Sequence, residues 1–93
     1  MATSTIKELK GTVSRGLNNV SLNDLPDIFR MYGFWGGSGV SDYPAGVDPA
    51  GCALITIPIS GASNQFQIML TPAGKIYMRR KMYTNVWDIW GQV

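Results

Sequence analysis

The residues able to do chemistry in this chain are few, and what is missing narrows the field first. There is no histidine and a single cysteine, Cys52. The commonest general base, the commonest zinc ligand and the Cys–His nucleophile pair are therefore lost together. A serine nucleophile would have to borrow a lysine as its base, and Ser60 or Ser63 with Lys75 lacks a dyad signature spacing. Paired carboxylates for glycoside hydrolysis come down to Asp42 and Asp48 on one glycine-rich stretch. A fold of 93 residues rarely frames the deep, water-excluding cleft of a hydrolase, so both aspartates are read as turn formers or as acceptors for a bound hydroxyl. No acidic loop is dense enough for calcium, which takes about six or more oxygens. The expectation is a chain that is not an enzyme and uses neither a metal nor a cofactor.

Aromatic chemistry is better represented. Tyr32, Phe34, Trp35 and Tyr43 are interleaved with Gly, Ser and Asp. A flat ring packs on the apolar face of a pyranose while neighbouring polar groups bond its hydroxyls. The alternative is that some of these rings are core; Tyr43, between Asp42 and Pro44, is the one expected to be exposed. Further on, alternation through 75–81 puts Tyr77, Arg79 and Lys81 on one strand face. Such a face could hold single-stranded nucleic acid, but an ordinary half-solvated strand is the preferred reading, with Arg79 stacked on Trp87 or Trp90 as a cation–π clamp worth about 0.5–2 kcal/mol. The candidate ligand-binding residues are thus Trp35, Tyr43, Asp42, Asp48, Tyr32 and Arg79.

The elements that must position them are mostly strands. Residues 52–59, 65–70 and 75–82 are β-rich runs separated by Gly61-Ala62-Ser63-Asn64 and Thr71-Pro72-Ala73-Gly74, which reads as an antiparallel meander. In the second turn Pro72 presets its backbone angle and Gly74 closes a type I turn into a bulge. Residues 28–32 form an earlier strand that stops at Gly33, and 86–90 a closing strand or turn. From 33 to 51 six glycines and two prolines interrupt ladder pairing and predict a long surface loop. Loops beyond about 12–15 residues in a compact domain usually carry function.

The first twenty residues differ from the rest. Ile6, Leu9, Val13, Leu17 and Val20 recur at helical spacing, but Gly11 and Gly16 would each cost about 1 kcal/mol inside a helix. The reading is a short helix at 5–10, a tether over 11–20, and entry into the fold through the turn-forming stretch 21–27. The fold class expected is mainly β: a small antiparallel β-sandwich or barrel-like knob over 21–93, with a long Gly-rich loop and an N-terminal helix or tether over 1–20.

Composition sets the outer limits. A formal charge of +2 is too small to be the footprint of a nucleic-acid binder. With 15% charged residues, the surface must draw its polarity from Ser, Thr, Asn, Gln and Gly. No run approaches the ~18 apolar residues of a membrane span, and the order of charges is not that of a secretory leader. A soluble chain with a buried, inert Cys52 is expected. At this size burial is only about 60–65% of the unfolded surface, so further copies of the chain would add stability.

The order of short motifs is the remaining clue. Leu22-Asn23-Asp24-Leu25, Tyr43-Pro44-Ala45-Gly46, Leu54-Ile55-Thr56-Ile57, Gly74-Lys75-Ile76-Tyr77-Met78-Arg79 and Trp87-Asp88-Ile89-Trp90 follow one another across 21–93. Together they resemble the knob domain of R-type pyocin and bacteriophage tail fibres. The chain departs from that pattern where Arg80-Lys81-Met82-Tyr83 replaces a polar turn before the first tryptophan. The resemblance implies a β-rich knob on a homotrimeric fibre, made in the host cytoplasm and carried on a virion tail or tail-like particle. It also implies that the knob meets the bacterial surface and binds saccharide there, with no nucleic acid and no membrane insertion. A connector or trimerisation module with no ligand of its own is the alternative.

Overall fold

Strands form here where β-branched and aromatic residues run without interruption, and the register of their pairing decides which face each side chain takes. The computed structural model describes residues 13–14, 17–34, 36–61 and 63–93. Its strands are β1 (Val13–Ser14), β2 (Arg30–Gly33), β3 (Ala53–Pro58), β4 (Gln65–Leu70), β5 (Ile76–Lys81) and β6 (Gly91–Gln92). They make one six-stranded sheet in chain order. From β2 to β6 each neighbour is antiparallel, whereas β1 lies parallel to β2. The fold is mainly β, as the sequence predicts. None of the described residues forms a helix long and apolar enough to cross a membrane.

The meander over β3–β5 follows the sequence reading to within a residue or two at each end. Its second turn closes as expected: Gly74 has φ +80°, its N–H donates to the Thr71 carbonyl at 2.9 Å, and Thr71 N–H donates to the Lys75 carbonyl at 3.0 Å. Two edges differ. Val13 and Ser14, read as part of a tether, instead pair with Met31 and Tyr32, because the β-compatible Val-Ser pair meets an otherwise free edge of β2. At the other end the strand is Gly91–Gln92, just beyond the tryptophans. The helix expected at 5–10 lies outside the described residues.

The two faces of the sheet are unlike. On one, Tyr32, Leu54, Met69 and Tyr77 stand in register across four strands, beside a polar row of Arg30, Thr56, Gln67 and Arg79. This face is covered. Leu22, Phe34, Val40 and Cys52 from the flanking segments join Tyr32, Leu54 and Met69 in the core, with Leu17, Val20, Leu25, Tyr43, Val47 and Trp90 packed against them. Full burial of a side chain such as Leu54 contributes about 1.5–3 kcal/mol.

The second layer is therefore made of loops rather than of another sheet. Stretches 19–22 and 38–41 run side by side: Asn19 N–H donates to the Ser38 carbonyl at 2.9 Å, Ser41 N–H to Val20 at 3.0 Å and Leu22 N–H to Ser41 at 3.1 Å. Gly39 makes the approach feasible. It has φ +73°, and a Cβ there would clash with Asn19 Oδ1 and come within 3.1 Å of Asn19 Cα. So the stretch 33–51, read as a surface loop, sends Phe34, Gly37, Val40, Pro44 and Pro49 into the interior. Its glycines and prolines prevent a long ladder but let the chain fold back closely over the sheet.

Candidate functional site

β5 brings Arg79 to the covered face, and the surrounding groups hold it from three sides. Its Nε donates to Gln67 Oε1 at 2.8 Å, and Gln67 Nε2 donates to the Leu22 carbonyl at 2.8 Å. The guanidinium carbon lies 4.5 Å from the Trp87 ring centroid and 4.8 Å from that of Trp90. Lys81 Nζ adds a second cation 4.9 Å from the Trp87 ring. Contacts of this kind contribute about 0.5–2 kcal/mol each, so the basic residues of β5 fasten the C-terminal segment to the sheet, as the sequence reading of Arg79 proposes. Burial pushes the Arg79 guanidinium down to about 10, and the nearby Asp42 carboxylate opposes the shift. It stays charged at neutral pH.

Trp90 then ties the segment to the loop layer, its Nε1–H donating to the Asp42 carbonyl at 2.8 Å. Asp42 itself sits at φ +65°, a conformation that Asp tolerates better than most residues. Its carboxylate accepts from Ser21 Oγ and, at 3.5 Å, from Ser41 Oγ. Asp88 N–H donates to the Arg80 carbonyl at 2.8 Å, and its carboxylate pairs with Arg80 Nε at 3.4 Å on the surface.

These ties frame a cleft of about 360 Å³ between the 42–45 turn and the 88–90 segment, with Tyr77 and Arg79 also in its lining. Tyr43, Tyr77 and Trp90 give it half-buried aromatic walls, and Asp42 and Asp88 give it carboxylates. A second cleft of about 300 Å³ lies between residues 46–50 and the β4–β5 turn, with Val47, Asp48, Pro72, Lys75 and again Tyr77 among its lining residues. Both are near the lower end of the roughly 300–1,000 Å³ typical of small-ligand sites.

Of the residues singled out from sequence, Tyr43, Asp42 and Arg79 meet in the first cleft and Asp48 lines the second. The two aspartates are thus not a facing pair. Asp48 Oδ1 accepts from Ala50 N–H at 3.0 Å, the turn-forming role that Asp side chains commonly take. Tyr32 belongs to the core: it is 5% exposed, and its hydroxyl is buried with no hydrogen-bond partner among the described residues. Desolvation raises its pKa, partly offset by Arg30. Tyr32 stands in the same cross-strand row as Tyr77 but three strands away from it, roughly 14 Å at normal strand spacing. Trp35 lies outside the described residues.

Asp88 and Trp90 are cleft residues that the sequence does not single out for binding, and Tyr77 enters there only as part of a strand face that could hold nucleic acid. Their signals were visible, in the alternation of β5 and in the Trp-x-x-Trp spacing, but nothing local says that the 42–45 turn comes to rest against them. Cys52 is buried, its Sγ 3.3 Å from the Asp48 carbonyl. Desolvation first, and the Asp48 carboxylate second, push its thiol up, which keeps it protonated and unreactive. Comparison with protein-family models, with curated proteins and with solved structures finds no match.

Proposed function

We propose that this chain is a non-enzymatic recognition domain of a phage-type tail fibre, which binds saccharide on a bacterial surface as part of a homotrimer. The observation that carries the reading is the first cleft. Three aromatic rings, Tyr43, Tyr77 and Trp90, line one concavity with carboxylates and a cation beside them, the combination that stacks on a sugar ring and bonds its hydroxyls. The Arg79 clamp holds the Trp90 side of that cleft in place before any ligand arrives, which reduces the ordering cost of binding.

Assembly with further copies of the chain belongs to the same reading and draws on the open face of the sheet. Met31, Ile55, Ile57, Phe66, Ile68, Leu70, Ile76 and Met78 share that face by register and pleat. Leu70, Ile76 and Met78 are 39%, 42% and 40% exposed. Arg80, at one corner, is the charged residue of β2–β5 on that face, so stacking it on a like face removes little charge from water. One strand of four residues and three of six outline roughly 350 Å² per copy. That is a little under half of the ~800 Å² per partner in a standard interface, and suits the hydrophobic centre of a contact whose rim lies elsewhere. The same face favours the second reading, a connector module with no ligand.

Glycan arrays and whole-cell binding separate the two. Ala45 is exposed at the cleft, so Ala45→Arg should leave folding intact and lower saccharide binding at least about tenfold, equivalent to about 1.4 kcal/mol. A chain that sediments as an oligomer yet binds no array glycan and no host cell supports the connector.

A further inference from the structure

The second cleft continues the first. Residues 42–45 edge one and 46–50 the other, and Tyr77 is common to the linings of both. A ligand leaving the Tyr43–Trp90 side along the loop therefore meets Tyr77 and then enters the space beside Val47, Pro72 and Lys75. The two compartments also share a charge pattern. In the first, Arg79 stands with Asp42, while Asp88 is neutralised by Arg80 at 3.4 Å. In the second, Lys75 stands with Asp48, and Lys75 has no ion-pair partner among the described residues. Neither compartment carries the surplus of cations that would select an anionic ligand. Each sets a donor-only group beside an acceptor-only group, the pairing that serves hydroxyls, which donate and accept at once.

We propose that the second cleft is a subsite for the next unit of the same ligand, and that the ligand is an uncharged oligosaccharide of at least two sugar units. The inference rests on the saccharide reading of the first cleft and adds to it a length and a charge class. Tyr77, between the compartments, takes the junction of the two units. Lys75 and Asp48 bond hydroxyls of the second.

The test uses the full chain and a defined probe set: neutral homo-oligomers of glucose, galactose, mannose and rhamnose, from single sugars to tetramers, with oligogalacturonates as the acidic counterpart. For the sugar that binds, the tetramer should be held about tenfold tighter than the monomer, since the second contact benefits from a high effective concentration. Affinity should change less than about twofold on raising salt from about 0.05 to 0.5 M, because no net charge is neutralised. Two variants at exposed positions, Lys75→Ala and Ala73→Trp, should remove the tetramer's advantage and leave monomer binding unchanged. Equal affinity for monomer and tetramer would overturn the second subsite while the first cleft stood. Preference for oligogalacturonates with steep salt dependence would overturn the neutral class. If the unaltered chain bound no member of the set, the saccharide reading would fall and this inference with it.

Discussion

The covered and open faces of the sheet invert the usual expectation about which residues lie inside. Thr56, Gln67, Arg79 and Lys81 are among the most buried side chains, whereas Ile55, Ile57, Phe66 and Ile68, on the opposite face of the same strands, are only half-buried. The difference lies in what rests on each face. On the covered side Thr56, Gln67 and Arg79 Nε of the central row meet specific partners, while Arg30 Nε and Arg79 Nη2 are buried with no hydrogen bond among the described residues. Thr56 Oγ1 donates to the Ile28 carbonyl at 2.7 Å, and Gln67 bridges Arg79 and the Leu22 carbonyl. Those bonds set where the loop layer sits, since a buried polar group left unpaired costs about 1–3 kcal/mol. The open face carries no such addresses. Its side chains favour any apolar cover, which makes it suited to association rather than to defining the fold.

Substitutions on the two faces should consequently differ in kind. The largest effect is expected from Gln67→Leu, which keeps the approximate volume but strips Arg79 Nε and the Leu22 carbonyl of their partner. A loss of about 2–5 kcal/mol is expected by urea denaturation, because a buried charge and a buried carbonyl are both left unsatisfied. If the loss is below about 1 kcal/mol, the polar row does not hold the layers together. On the open face Ile68→Thr should cost the monomer no more than about 1 kcal/mol, while sedimentation equilibrium shows assembly weakened about tenfold or more. Equal effects on folding and assembly would show that this face is covered within one chain.

The smallest expected effect is that of pH on the polar row. Burial lowers the Arg79 guanidinium to about 10, well below its ordinary range. The folded state therefore disfavours the charged form, and the resulting penalty is the same at every pH well below about 10. It is lifted only as pH rises above about 10 toward the ordinary arginine range, where the unfolded chain binds more protons than the folded one. Thermal melts should accordingly show no contribution from Arg79 between about pH 5 and 9. A stability change in that window that disappears in Arg79→Met would contradict this assignment.

Much of the strand order was legible from sequence, because alternation and turn chemistry act over a few residues. Gly74 after Pro72 specifies its hairpin locally, and Tyr77, Arg79 and Lys81 fall on one face from the pleat alone. Alternation does not say which face will be covered, since on β3–β5 both faces carry apolar residues. Tyr32 and Tyr43 illustrate the same limit. Each is a tyrosine beside glycines or turn residues, yet one is sealed in the core and the other lines a cleft. Long-range register, rather than anything adjacent to them, separates the two.

By itself the sequence determined that the chain is mainly β, that Pro72–Gly74 closes a hairpin and that histidine chemistry is absent, because all three depend on residue type or on contacts close along the chain. Only the tertiary structure decided that the 33–51 stretch folds back as a second layer, that Arg79 contacts both indoles rather than one and that Asp42, Tyr43, Tyr77 and Trp90 share one cleft. Those groups come from segments far apart in the chain. Their meeting depends on which buried donors and acceptors find each other once the sheet has formed, a condition that no local pattern encodes.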